Sequence, residues 1–206
     1  MQVAKLEQTL RGYTSDPRIL ALFYDGAARG LRSLGRNEVA ATELEESAKA
    51  ERLKWLQTLE AQKQYKEALG WDRDHKLLKW EERKALAREG CQQLMRGKHY
   101  YDALRLAREE SLPDCAREAA VQYVEDHLTT SRMSSDLLGI LRRELHGDSA
   151  VRKQVARAMF ADMVCHETNH EDHLLVLVGE FRDCFSDAEA ELAEFLKRAA
   201  KDRPRR

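Results

Sequence analysis

The chain has 206 residues, 34% of them charged, with 35 Lys and Arg set against 36 Asp and Glu. A formal net charge of -1 leaves no global field to hold nucleic acid or an anionic membrane surface, so a dedicated nucleic-acid binder is disfavoured. Gly and Pro are scarce, at 10 and 3 residues, and long β-branched runs are missing, which favours long solvated helices and predicts no strand.

No stretch reaches the apolar length of a secretion signal or a membrane span. The four cysteines, Cys91, Cys115, Cys165 and Cys184, are far apart and form no C-x-x-C pair. They read as reduced, mostly buried thiols of a cytoplasmic protein.

In chain order, residues 2 to 11 suit a short helix with Val3, Leu6 and Leu10 on one face, broken at Gly12-Tyr13-Thr14-Ser15. Asp16-Pro17 starts the next helix, Asp as N-cap and Pro in the first turn, where its missing N–H costs nothing. Ile19, Leu20, Phe23, Ala27, Leu31 and Leu34 then recur at helical spacing, and Gly35 is placed to end the segment. From Glu38 to about Gln62 runs a long charged helix whose apolar positions, Val39, Leu44, Ala48, Leu53, Leu56 and Leu59, are sparse enough to leave one side exposed.

The next stretch repeats. Leu59, Lys63, Tyr65 and Ala68-Leu69 return as Leu94, Lys98, Tyr100 and Ala103-Leu104, each 35 positions on. A period near 35 in helical sequence marks an array of helical hairpins. An aromatic just inside the second helix covers the turn, and a small Ala three residues later lets the two helix backbones approach closely. Fainter copies follow. Pro113 opens a helix with a broad apolar face of Leu112, Ala116, Ala120, Val121, Tyr123, Val124 and Leu128, and Asp136-Leu137-Leu138 stands 34 positions after Asp102-Ala103-Leu104 in a helix that stops at His146-Gly147. Asp148-Ser149 caps the next helix (Val151, Val155, Met159, Phe160, Met163), and a last echo falls at His173-Leu174-Leu175. Ser186-Asp187-Ala188-Glu189 is a capping box opening the terminal helix, which ends in a basic tail, Lys197 to Arg206, read as a solvated terminus.

On these residues the chain resembles the tetratricopeptide repeat (TPR), over roughly residues 49–148. Lys63 and Lys98 stand where that family has Gly, Leu56 and Cys91 where its first helix has a small residue, and His75 and Glu110 where its second helix has Ala. The resemblance implies an all-α fold of antiparallel helical hairpins stacked as a short TPR-like α-solenoid. The chain would form a single helical-repeat domain, with degenerate N-terminal helices at 15–62, TPR-like hairpins at 49–148, and a C-terminal hairpin with a capping helix at 149–203. By analogy of fold it also implies a non-catalytic adaptor or scaffold that binds a peptide or helix of another protein and uses no cofactor. Members of the family that hold chaperone C-terminal carboxylates do so with a Lys and Asn clamp on their first helices. Here Asn occurs only at 37 and 169, both in expected turns, so such a partner is disfavoured.

Within this frame Leu59, Tyr65, Ala68, Leu94, Tyr100 and Ala103 are structural repeat positions, and Trp71, Trp80 and Tyr101 are the candidate partner-binding aromatics. One motif points to different chemistry. His166-Glu167-Thr168-Asn169-His170 matches H-E-x-x-H, in which two histidines one helical turn apart bind zinc and the glutamate activates its water. The alternative reading is therefore a zinc-dependent hydrolase with His166, His170 and Glu180 as ligands and Glu167 as base, Cys165 and His173 being other nearby donors. The repeat register instead places Thr168-Asn169 at a turn, where the two rings need not converge, and the expectation is no bound metal. A further alternative is a structural subunit of a larger assembly.

Overall fold

A computed structural model describes residues 3–35, 37–130, 135–147, 149–165 and 171–201. Among them every regular element is helical, in eleven α-helices and one short 3-10 turn. The chain forms two compact units, Met1–Gly90 and Cys91–Arg206.

In the first unit helix ends follow from capping chemistry. Helix α1 (Val3–Tyr13) runs through Gly12, past the expected break, and closes as the Thr14 amide donates to the Leu10 carbonyl at 3.1 Å. Helix α2 (Pro17–Ser33) starts where the Asp16 carboxylate accepts from the Arg18 amide at 2.9 Å, and it ends at Gly35, whose φ of +61° suits a residue without Cβ. Helix α3 (Glu38–Ala61) is capped by the Asn37 side chain, which accepts from the Ala40 amide at 3.2 Å. The heart of this unit is α2 against α3. Leu20, Ala21, Tyr24 and Ala28 meet Ala41, Leu44 and Ala48, and Val3, Leu6 and Leu10 of α1 cover one side. The alanines let the backbones come close.

That packing corrects one expectation. Ile19, Phe23 and Leu34 fit the helical period of α2, yet they are 42%, 49% and 67% exposed. Leu20 of the same expected face is buried and Ala27 and Leu31 pack against the core, which is turned toward Tyr24 and Ala28 and leaves the other three outside. Both faces of α2 are apolar, so periodicity alone allows either, and the small residues at 21 and 28 facing those at 41 and 48 decide which one is covered.

Helix α4 (Tyr65–His75) leads to α5 (Trp80–Arg96). Their link is organised by Asp72, which is 3% exposed. One carboxylate oxygen accepts from the amides of Leu77 (2.9 Å) and Leu78 (2.7 Å), and the other accepts from the Arg83 guanidinium (2.6 Å). A carboxylate with three donors is well suited to burial.

In the second unit α6 (Tyr100–Glu109) packs along α7 (Pro113–Thr130), α7 and α8 (Ser135–Arg143) both meet α9 (Ser149–Cys165), α10 (Glu171–Glu180) packs on α9, and α11 (Asp187–Lys201) packs on α10. The 3-10 turn Arg182–Cys184 joins the last two. Of the expected apolar positions, Leu104, Ala120, Val124, Leu137, Val155, Met159 and Leu174 are buried, while Val121, Val151 and Met163 are only half-buried; Ala119, Ile140, Leu141 and Leu177, not among the expected positions, are buried as well. Helix α8 stops at Arg143, short of His146-Gly147, and the expected cap Asp148 lies outside the described residues. The capping box forms as the Ser186 amide donates to Glu189 (2.7 Å) and the Glu189 amide to the Ser186 hydroxyl (3.3 Å). No helix among the described residues is long and apolar enough to cross a membrane.

The sequence repeat is also a repeat of backbone geometry. Lys63 has φ +57° and Lys98 φ +60°. Each follows a helix whose third-last carbonyl, Leu59 or Leu94, accepts from the residue beyond the lysine, Gln64 at 2.8 Å or His99 at 2.9 Å. The lysine amides themselves donate to Glu60 (2.9 Å) and Met95 (3.0 Å). This is a Schellman ending with lysine in the left-handed position. Gln64 and His99 then repeat one conformation, φ −88° and ψ 59° against φ −89° and ψ 56°. The Ser111 ending of α6 is a third example, with φ +53° and a 2.8 Å bond from the Leu112 amide to the Ala107 carbonyl. Ala68 and Ala103 are fully buried, Leu59 is buried, and Leu94, Tyr65 and Tyr100 are half-buried. Cys91 lies close enough to the α6 backbone for its thiol to reach the Ala103 carbonyl, at 3.6 Å.

Candidate functional site

The three candidate aromatics have unequal freedom. Trp71 is half-buried; its indole N–H donates to the Arg52 carbonyl at 3.2 Å and its ring stands edge-on to His75 at 4.2 Å between centroids. Burial, followed by the Arg52 charge, holds His75 below its ordinary value, which keeps the ring neutral and suited to an aromatic neighbour. Trp80 is 68% exposed, with the Lys84 ammonium 5.2 Å from its ring centre. Tyr101, in the second unit, is 46% exposed and leans on Tyr123, 5.8 Å away. Trp71 is thus engaged within its own unit, while Trp80 and Tyr101 keep open faces.

The histidine motif at 166–170 lies outside the described residues, between the end of α9 at Cys165 and the start of α10 at Glu171. Glu180 is described. It is engaged by Arg142, whose guanidinium donates to both carboxylate oxygens at 2.6 and 2.7 Å. Among the described residues no group of three His, Cys, Asp or Glu side chains is placed to hold a metal ion. Cys91 is buried and its thiol is pushed up to about 12, chiefly by that burial and then by nearby Cys115, so it remains protonated at neutral pH.

The second unit carries a cleft of about 450 Å³ whose lining includes Leu112, Pro113 and Ala116. Arg108, Arg143 and His146 also line it, together with Glu144, but the Arg108 guanidinium is already forked onto Glu144 at 2.7 and 2.8 Å. That pair fixes one wall of the cleft.

The largest feature the sequence reading missed is the outward face of α2. On the solvent side, adjoining the core face along one flank, run Ile19, Leu22, Phe23, Gly26, Gly30, Ser33 and Leu34, all exposed and none charged. Leu22 is 67% exposed. Bulky side chains fill the first half of the stripe, and two glycines flatten the second. An ideal Cβ at Gly26 or Gly30 would meet nothing within 4 Å, so nothing inside the unit requires glycine there. Glycine in a helix interior nevertheless costs roughly 0.5–1 kcal/mol against alanine. The charges sit along one flank: Arg18 is held by Asp16, Arg32 by Glu38 and Glu45, and Asp25 Oδ2 accepts from Arg52. The signal was present in the sequence, as Ile19, Leu22 and Phe23 at helical spacing before Gly26-x-x-x-Gly30. It was hidden because the same helix carries a second apolar face.

No family model, curated protein or solved structure matches this chain.

Proposed function

We propose that the chain is a non-catalytic interaction module, an adaptor or scaffold whose TPR-like array of helical hairpins holds a helix or extended peptide of a partner protein. One observation carries the reading. A helix that is apolar on its core side and again on its solvent side has the pattern of a helix covered from both directions. On α2 no described residue of the first unit supplies that second cover, and the uncharged stripe from Ile19 to Leu34 is open to a partner. The twin lysine turns support the repeat side of the proposal, because identical local endings at Lys63 and Lys98 are what a duplicated hairpin requires. Recognition would then work by shape on a fixed scaffold, without a reacting group.

The test uses the full chain as tagged bait in extract of its native host, beside the variant Leu22→Glu with Phe23→Glu. Both side chains are exposed, so the variant keeps its helical spectrum. Wild type is expected to retain a protein, further copies of the chain included, that the double variant loses. Identical retained sets would refute the reading.

A further inference from the structure

We infer that the helix fitting the outward face of α2 is α2 of a second copy of this chain, laid antiparallel across a two-fold axis near Gly26; this rests on the interaction reading above and names its partner. Three features of the stripe make it complementary to itself in that orientation. Within the helix its bulk is divided by halves, with Ile19, Leu22 and Phe23 toward the N-terminus and Gly26, Gly30 and Ser33 toward the C-terminus, Leu34 following as the cap residue beyond the helix. An antiparallel mate symmetric about Gly26 lays Leu22 and Phe23 of each copy over Gly30 of the other, and Ile19 over Ser33. The empty space above both glycines receives those side chains and lets the two backbones pass closely at Gly26. A parallel mate would put bulk against bulk and leave the flat halves facing each other.

The second feature is the flank charge. Arg29 and Asp25 lie one turn apart on the same side of the stripe. The Arg29 guanidinium has only its own helix's Asp25 carbonyl, at 3.4 Å, and no carboxylate among the described residues. The carboxylate of Asp25 gives Oδ2 to Arg52, while Oδ1 has no partner among the described residues. A two-fold axis of this kind keeps like flanks on one side, so Arg29 of each copy comes within reach of Asp25 of the other and both pairs form at once. The third feature is the pair of glycines itself. They weaken an exposed helix, no contact with the described residues accounts for them, and an external backbone crossing there does.

The seam runs about 24 Å along the helix at 1.5 Å per residue. A single-helix seam falls short of the roughly 800 Å² per partner of a standard interface, so the dimer should dissociate on dilution. Sedimentation equilibrium of the full chain at increasing concentration is expected to show a monomer–dimer equilibrium. Phe23→Glu should abolish it. Gly26→Ala with Gly30→Ala should raise the thermal midpoint while weakening association at least tenfold, opposite signs that a purely structural role for the glycines would not produce. Under mild oxidation Gly26→Cys should cross-link to itself well above the wild-type background, and Leu22→Cys, whose copies lie about two turns from each other along the seam, should not. A wild-type chain that remains monomeric at the highest concentration overturns the inference, as does self-cross-linking of Leu22→Cys in preference to Gly26→Cys. If the chain is monomeric and the Leu22, Phe23 double variant still loses a different host protein, only the choice of partner is wrong. If it is monomeric and the retained set is unchanged, the interaction reading fails as well.

Discussion

Replacing Lys63 or Lys98 by glycine should stabilise the protein, although each change removes a long side chain and a charge. Both lysines are exposed and hold φ near +60°. An L-residue held in the left-handed region loses roughly 1–2 kcal/mol because its Cβ crowds the following carbonyl oxygen. Glycine escapes that crowding but gives back about 0.5–1 kcal/mol through the greater freedom of its unfolded chain. The turn's own hydrogen bonds, from Gln64 to Leu59 and from His99 to Leu94, are made by backbone groups and survive the change. The balance is a gain of roughly 0.5–1 kcal/mol per site, or about 2–4 °C in Tm for each kcal/mol in a chain of this size. Urea unfolding followed by circular dichroism at 222 nm measures it, with Lys63→Val as the opposite control, since a β-branched residue is a poor occupant of positive φ. If the two units unfold in separate steps, Lys63→Gly moves the first unit's step and Lys98→Gly the second's. Lower midpoints for both glycine variants would mean that the left-handed endings do not form, and the structural meaning of the 35-residue period would go with them.

Three further outcomes follow from buried groups. Asp72→Ala leaves the amides of Leu77 and Leu78 and the Arg83 guanidinium without their shared acceptor, and should cost about 3–5 kcal/mol, whereas Asp72→Asn, which keeps a carbonyl oxygen for the amides, should cost less; equal and small losses in urea midpoints would refute the role given to this carboxylate. Burial pushes the Glu51 carboxyl up, but hydrogen bonds from Lys54 (2.7 Å) and Arg11 (2.5 Å) outweigh it and hold the group below its ordinary 4.5. Its ionised form therefore stabilises the fold above pH 4.5 and that contribution fades as pH falls through the depressed native value, so the stability gap between wild type and Glu51→Gln should shrink in acid; a gap constant from neutral pH to about pH 3 would contradict the pairing. Ala68→Trp and Ala103→Trp each force an indole into a position with no exposed surface and should cost about 1–3 kcal/mol or more; neutrality of both would mean the close helix approach is misplaced.

Much of the helical layout was legible in the sequence because it depends on local chemistry. Asp16-Pro17 starts α2, Gly35 ends it, and Ser186 with Glu189 caps α11, each through bonds that a few neighbouring residues make among themselves. The period of 35 was visible because Leu, Lys, Tyr and Ala-Leu recur at fixed spacing, and the Schellman endings at Lys63 and Lys98 then fall at the same place in each copy. Which face of α2 is covered was decided elsewhere in the chain. Ile19, Phe23 and Leu34 have the same period as Leu20, Tyr24 and Leu31, and only the small side chains of Ala41 and Ala48 on α3, closing on Ala21 and Ala28, bury one set and leave the other in solvent. The role of Asp72 was equally out of reach. Its donors come from the loop and the helix that follow, and a carboxylate in a charged helix carries no mark that the chain will fold back to surround it. Local hydrogen bonds are written in neighbouring residues, whereas the choice between two apolar faces and the burial of one charge depend on groups that meet only after the helices have packed.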